Sequence, residues 1–485
     1  HKEYRRQRQM CIRDSFRRGA LYLVPGDSAP GYRLPLGSLP VTEGRLASPD
    51  PDRCPFEERT LLPAVHGELS ARLSTLEQAV PLELADDDHP QGPVPRTALC
   101  LRIRQGRLWV FVPPMTHLEH YLELMAALET CAETLGVPLM LEGYEPPEDP
   151  RIMRFSLEPD AAVLKLKLPM TADWQQGQTY MTQAYQEAAQ WGLSGIHSRN
   201  SGSRMGPGGS ADLTLGGGEP AQSPFLFRPQ LLRSLISCWQ QHPSLSYFFA
   251  GRQTGPSGTA PRPDEGRADA LYELGIALSR MPDDTLSLPW VPDRILRNLL
   301  ADPAGDIKRA EIRVDQLYDP DRVGQRLGWI TLRSLETAQN DRLATAQLLL
   351  VRALVASLLR QPVTTGLTPF GSALHDRYML PGILWEDLKS VLAGIRQAGI
   401  PLQDEWYQPF LEARFPLVGQ MQLGQIRLEL RPAHEPWPIL AEEVTAGGVG
   451  RFVDSANDRV QVEVFGMTPG RHVLACNCLL YTSPS

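Results

Sequence analysis

Apolar residues at positions 118, 121, 122, 125, 128 and 132 fall on one face of a helix over 117–135. Similar spacing predicts helices at 178–191, 229–241, 267–279, 292–300 and 384–398, and the long apolar stretch 340–360 predicts a helix that must be largely buried. Alternation at period two predicts strands instead at 138–142, 163–168, 310–314 and 328–334. Two alternating runs at 98–114 meet at Gln105-Gly106, which reads as a hairpin turn, and residues 22–28 read as a short strand entering a turn. From position 419 onward the chain alternates almost continuously between Gly and Pro turns, so a small β-rich module is expected there. Strands separated by helices, with hairpins at several places, predict an α+β fold: a curved, mainly antiparallel sheet with flanking helices, plus the C-terminal module. Regular βαβ units with a phosphate loop directly after a strand, as a doubly wound nucleotide fold requires, are not present in the pattern.

At 485 residues the chain is long enough for two to three domains. The pattern divides it into a leader at 1–15, a Pro-rich segment at 16–95, an α+β core at 96–415, the β-rich module at 416–477 and a tail at 478–485. The leader and tail lack the periodicity of folded elements and resemble translated adapter sequence, so they are expected not to be native. Composition is ordinary for a globular chain, at 42 % hydrophobic and 21 % charged, and the net charge of −8 argues against a nucleic-acid partner. No uninterrupted apolar run reaches the roughly 18 residues of a membrane helix, so no membrane partner is expected. Seven Cys, with Cys54, Cys100, Cys131 and Cys238 far apart, show neither zinc-type nor disulfide-type spacing, and a cytoplasmic location is expected.

Candidate chemistry concentrates in three places. The segment 242–278 runs from a helix end through a stiff loop into a new helix. Its loop places Arg252, Arg262, Asp264, Glu265 and Arg267 among breakers at Pro256, Gly258, Pro261 and Pro263. The glycine run GSRMGPGGSADLTLGGG at 202–218 lacks the Gly-Lys-Ser/Thr ending of a P-loop. It reads either as a surface loop or as a backbone-amide cradle for phosphate at Gly206, Gly208 and Gly209, with Arg199 and Arg204 adding charge. Around 309–336, Arg309, Glu311, Arg313 and Asp315 alternate with apolar residues, so all four are expected on one face, and Arg333 and Glu336 follow on the next strand. Such a face suits an anionic, metal-bound substrate, or else a solvated surface with compensating charges. His375-Asp376-Arg377 and Glu435-Pro436-Trp437 read as a helix cap and a packing anchor.

Many separate stretches resemble the putative amidoligase family of large bacterial proteins that also carry a transglutaminase-like domain. They include LYLVPGDS near the start, LEGYEPPEDPR at 141–151, the 242–278 segment, PDRILRNLLAD, RAEIRVDQLYDPD, LHDRYMLP and LRPAHEPW at 430–437. The resemblance implies a glutamine-synthetase-like carboxylate–amine ligase that activates a peptide or amino-acid carboxylate with ATP as an acyl phosphate, using Mg²⁺, before an amine attacks. It implies catalytic roles for Arg309, Glu311, Arg333 and Glu336, cofactor contacts from Gly206, Gly208, Gly209, Arg262, Asp264 and Glu265, metal ligation by Glu142 and Asp212, and a transglutaminase-like domain upstream. It also departs from the family pattern at presumed metal positions, where Lys165, Lys167, Asp212 and Thr331 stand in place of other residues, and Lys308 and the Gln339 region stand where His is expected. A Lys cannot donate an oxygen to Mg²⁺. Two readings therefore stand open: an active ligase, or a member that keeps the fold as an anion-binding or scaffolding subunit.

Overall fold

The computed structural model describes residues 24–26, 31–33, 54–62, 67, 99–160, 163–198, 204–205, 210–251, 253–266, 269–282, 288–445, 448–468, 472–476 and 479–481. The chain forms two compact units, residues 1–152 and 153–485. The class is α+β with mainly antiparallel pairing, as the pattern predicts, and the strands are divided among small sheets of two or three.

In the first unit, Cys100–Arg104 and Arg107–Val112 form the expected hairpin. Gln105 and Gly106 both take positive φ, 54° and 73°, the two-residue turn whose twist matches that of the strands. The Leu118–Leu135 helix follows and stops at Gly136, in the left-handed region at φ 61°. The chain then returns as Leu139–Gly143, which pairs with Arg107–Val112 in parallel. The crossover makes this one βαβ turn, so a single parallel pair enters a mainly antiparallel fold. It closes at Gly143 (φ 108°), where a Cβ would lie 2.5 Å from the Val112 carbonyl oxygen; only glycine fits.

The second unit is built on helices. Leu232, Leu235, Ile236 and Trp239 of Pro229–Gln241 are buried, as are Leu350, Val351 and Leu354 of Asp341–Arg360 and Leu384, Leu388 and Leu392 of Pro381–Gln397. The Asp341–Arg360 helix packs against the other two and against Trp174–Gln190. Its length and mean hydropathy of 1.6 would let it cross a membrane, but 56 % of that apolar stretch is buried, as a core helix requires. Asn340 caps it, its Oδ1 accepting from the Leu343 N–H at 3.0 Å. The Trp174–Gln190 helix begins earlier than its apolar spacing indicates, because Asp173 supplies the cap by accepting from Gln176 N–H at 2.8 Å.

Two sheets matter for the site. Ile330–Leu332 is the middle strand of three, between Leu213–Leu215 and Ile312–Arg313, all antiparallel. Its outer partner Leu213–Leu215 comes from the glycine run, which the alternation pattern does not mark as a strand. Toward the C-terminus, Gly419–Leu423, Ile426–Ala433 and Arg459–Phe465 form a second three-stranded sheet, and Ile439–Thr445 pairs with Gly448–Val453 as a separate hairpin.

Candidate functional site

Three arginines from distant parts of the second unit reach one cleft of about 400 Å³. Arg309 ends the single helical turn Ile307–Arg309, which Asp306 caps by accepting from the Lys308 N–H at 2.8 Å. Arg333 directly follows the middle strand Ile330–Leu332, and Arg451 lies on the hairpin strand Gly448–Val453. Gln253, Ser257 and Thr259 of the Pro/Gly-rich loop line another side, and Trp437 and Val453 supply the apolar surface.

Counter-ions hold these guanidiniums in place. Asp302, whose side chain is fully buried, pairs with Arg451 and also with Arg309 at 3.4 Å. Arg451 donates further to Glu442 at 2.7 Å. Arg333 donates to Asp212 at 3.1 Å and to Ser210 Oγ at 3.2 Å, and also to the Lys308 carbonyl. Burial holds the Arg309 guanidinium below its ordinary pKa, and the positive charges of Arg451 and Arg333 add to the effect. One donor on the cleft wall is unanswered: the buried Ser257 Oγ has no partner, while the buried Arg309 Nε has its ion pair with Asp302 without hydrogen-bond alignment.

Of the residues expected to carry catalysis, Arg309 and Arg333 meet at this cleft and Glu311 and Glu336 are not among its lining. The alternation from Arg309 to Asp315 does not put four charges on one face, because only Ile312–Arg313 is extended enough to pair. The helical turn before it sends Arg309 to the cleft, while Glu311, 2 % exposed, turns inward and accepts from Trp239 Nε1 at 2.8 Å. Burial pushes its carboxyl up to about 7, against the pull of Arg262. Arg313 closes on Asp315 at 2.7 Å. Glu336 forms an isolated backbone bridge to Ser210, and its buried Oε1 has no partner; burial raises its carboxyl too.

The charged loop residues are likewise consumed in the interior. Arg262, 1 % exposed, donates to Asp264 at 2.8 and 2.9 Å, to Ser246 Oγ at 2.9 Å and to the Gln240 carbonyl at 2.7 Å. Burial works against its charge, but Asp264, with Tyr247 and Glu311, outweighs burial and the guanidinium is held above its ordinary value. Glu265 accepts from the Arg262 N–H at 2.9 Å, from Tyr247 Oη and from His375 Nε2, 2.9 Å away. Arg262, Asp264 and Glu265, expected to touch a cofactor, instead hold the loop whose other end forms the cleft wall. A loop of this length needs internal polar partners for its buried backbone, and these side chains supply them.

Gly206, Gly208 and Gly209, with Arg199, Arg252 and Arg267, lie outside the described residues. Lys165 and Lys167 are exposed on Val163–Lys167, which pairs with Ser156–Asp160. Thr331 is buried at the centre of the three-stranded sheet, its hydroxyl 3.1 Å from that of Thr214. The two expected metal ligands are both engaged by arginine: Glu142, in the first unit, pairs with Arg104 at 3.3 Å, and Asp212, in the second, pairs with Arg333. Among the described residues no three His, Cys, Asp or Glu converge as a metal site would need, and no carboxylate lines the cleft. The donor set does not fit a Mg²⁺ ion held there by the protein.

Sequence reasoning missed Arg451, Asp302, Trp437 as a cleft wall, and the loop's uncharged residues Gln253, Ser257 and Thr259. Arg451 sits singly in an alternating hairpin and carries no local signal; the Pro/Gly breakers around 253–259 were the only available sign of a shaped wall. Residues 2–481 match the sequence profile of a family described as "Putative amidoligase enzyme". No curated protein and no solved structure matches the chain.

Proposed function

The chain belongs to that amidoligase family, and on this premise we propose that it joins a peptide or amino-acid carboxylate to an amine, using ATP, with the arginine cleft receiving the anionic groups. The convergence of Arg309, Arg333 and Arg451 on one cleft carries the reading. In such a reaction a carboxylate oxygen bonds to the γ-phosphorus and ADP leaves. The amine nitrogen then bonds to the carbonyl carbon, phosphate leaves with the former carboxylate oxygen, and the amine gives up a proton. Negative charge gathers on phosphoryl oxygens in the first step and on the departing phosphate in the second. Guanidiniums fixed by counter-ions stabilise that charge without having to reorganise. Ser257 Oγ adds a donor that no protein group answers. Trp437 and Val453 exclude water from one wall, which strengthens each charge contact. ATP places the reaction in the cytoplasm.

Oxygen-isotope transfer tests this. The full chain is incubated with ATP, an amine and a panel of amino acids and dipeptides labelled with ¹⁸O in the carboxylate. Label appearing in inorganic phosphate together with ADP supports the ligase. ADP without label transfer, or no ADP with any member of the panel, overturns it. A second reading, a subunit that binds anions without catalysis, is favoured by one observation: Asp212 and Glu142 are committed to arginines, and no carboxylate faces the cleft. Ligand binding with no ADP formation would select it.

A further inference from the structure

The carboxylates Asp302, Glu442 and Asp212 are each paired with an arginine of the cleft. Asp302 is shared between Arg309 and Arg451, and its other oxygen accepts from the Ala304 and Asp306 N–H groups at 2.9 and 2.8 Å. Glu442 is held by Arg451, and Asp212 by Arg333 and by Ser210, whose hydroxyl donates to it at 2.8 Å. The lining itself offers guanidinium, hydroxyl, amide and indole groups and no carboxylate. A divalent cation arriving on a phosphate chain would meet guanidiniums in the lining, and Asp302, Glu442 and Asp212 beside them are already engaged by those arginines.

We propose that the cleft takes a polyphosphate chain as the metal-free polyanion, with Arg309, Arg333 and Arg451 supplying the positive charge that a divalent cation supplies in sites lined by carboxylates. This rests on the anion-cleft reading above and adds to it the form in which the ligand binds. Binding Mg²⁺ lowers the charge of a polyphosphate by two and occupies the oxygens that guanidinium forks would grip. The bound cation also repels the three arginines, whose mutual repulsion adds to the burial that holds the Arg309 pKa down. Mg²⁺ is therefore a competitor of the site. The same geometry accounts for one unanswered donor: the buried Ser257 Oγ belongs to the cleft lining without a partner, and a bare phosphoryl oxygen accepts from it.

Calorimetric titration of the full chain with inorganic tripolyphosphate, once in EDTA and once in saturating Mg²⁺ at matched ionic strength, separates the possibilities. The expected result is a Kd at least tenfold weaker with Mg²⁺. Equal or tighter binding with Mg²⁺ overturns this inference and leaves the anion cleft standing. No binding under either condition overturns both. In the EDTA arm, Arg333→Gln and Arg451→Gln each should weaken binding at least tenfold with an unchanged circular-dichroism spectrum; wild-type affinity in both folded variants would place the ligand elsewhere and overturn the proposal. Because a variant could fail to fold, wild-type protein is also modified with phenylglyoxal and mapped by mass spectrometry. Tripolyphosphate in EDTA should shield Arg309, Arg333 and Arg451; unchanged modification at all three would contradict the assignment.

Discussion

Arg333 and Arg262 carry the same charge and were both expected to face a ligand, yet they perform opposite tasks. Arg333 keeps a face on the cleft. Arg262 spends its donors on Asp264, Ser246 and Gln240 inside the unit, where removing it would leave a buried carboxylate without its partner. Glu311, beside this network, is the clearest titrating group. Its folded pKa of about 7 lies above the ordinary 4.5, so the folded chain holds the proton more tightly than the unfolded one. The stability this brings is complete below about pH 4.5 and is lost as pH rises through 7. In Glu311→Gln, which keeps the acceptor for Trp239, that loss should vanish. Relative to wild type, the variant should gain about 3 kcal/mol between pH 4.5 and 7, at roughly 1.4 kcal/mol for each pH unit of the pKa difference. Urea unfolding at several pH values measures it, and parallel curves for the two proteins would refute it. His434, whose pKa burial drives down to about 3, has the opposite dependence, losing stability as pH falls from 6.5. It does so in both proteins and cancels in the comparison.

Elements that depend on local signals follow the sequence closely. The Gln105-Gly106 hairpin and the Pro229–Gln241 helix lie where period and turn chemistry put them. The apolar stretch at 340–360 becomes the buried Asp341–Arg360 helix. Its start rests on one side chain, so Asn340→Ala should cost about 1 kcal/mol, within the ~0.5–2 range for lost caps. Asn340→Asp should cost less than half as much. Denaturant midpoints for the three proteins decide this, and an Ala variant as stable as wild type would show the cap to be idle. Short strands were harder to see. Leu213–Leu215 has three residues, is flanked by glycines, and exists because Ile330–Leu332 lies alongside it. Alternation from 309 to 315 was real in the sequence, but only two of those residues are paired, so it does not determine where the other side chains point.

For the molecule as a whole, the cleft joins the loop at 253–259, the turn at 309, the strand end at 333 and the C-terminal hairpin at 451. A ligand bridging these segments should stabilise the folded chain against all of its unfolded forms. At a hundredfold excess over Kd, tripolyphosphate in EDTA should add about 2.7 kcal/mol, seen as a rise in Tm. Raising salt from 50 mM to 500 mM should shrink the rise, since the cleft is open to screening ions. In Arg333→Gln the rise should be largely lost while the ligand-free Tm stays within a few degrees of wild type. A large fall in that ligand-free Tm would mark Arg333 as structural, and a salt-independent shift would argue against charge as the source of binding.

Periodicity, turn residues and caps determined the α+β class, the main helices, the first hairpin and the β-rich C-terminal stretch, because each depends on neighbours within a few positions. The sequence also singled out Arg309 and Arg333. Which charges face a ligand was decided only by the tertiary structure. Burial of Glu311 against Trp239, closure of Arg262 on Ser246 and Gln240, and the sharing of Asp302 by Arg309 and Arg451 all join residues with no periodic relation to one another. These arginines, at the cleft and in the interior, are all paired with carboxylates, so a guanidinium becomes scaffold or site according to whether packing buries it, as it does Arg262, or leaves it on the cleft.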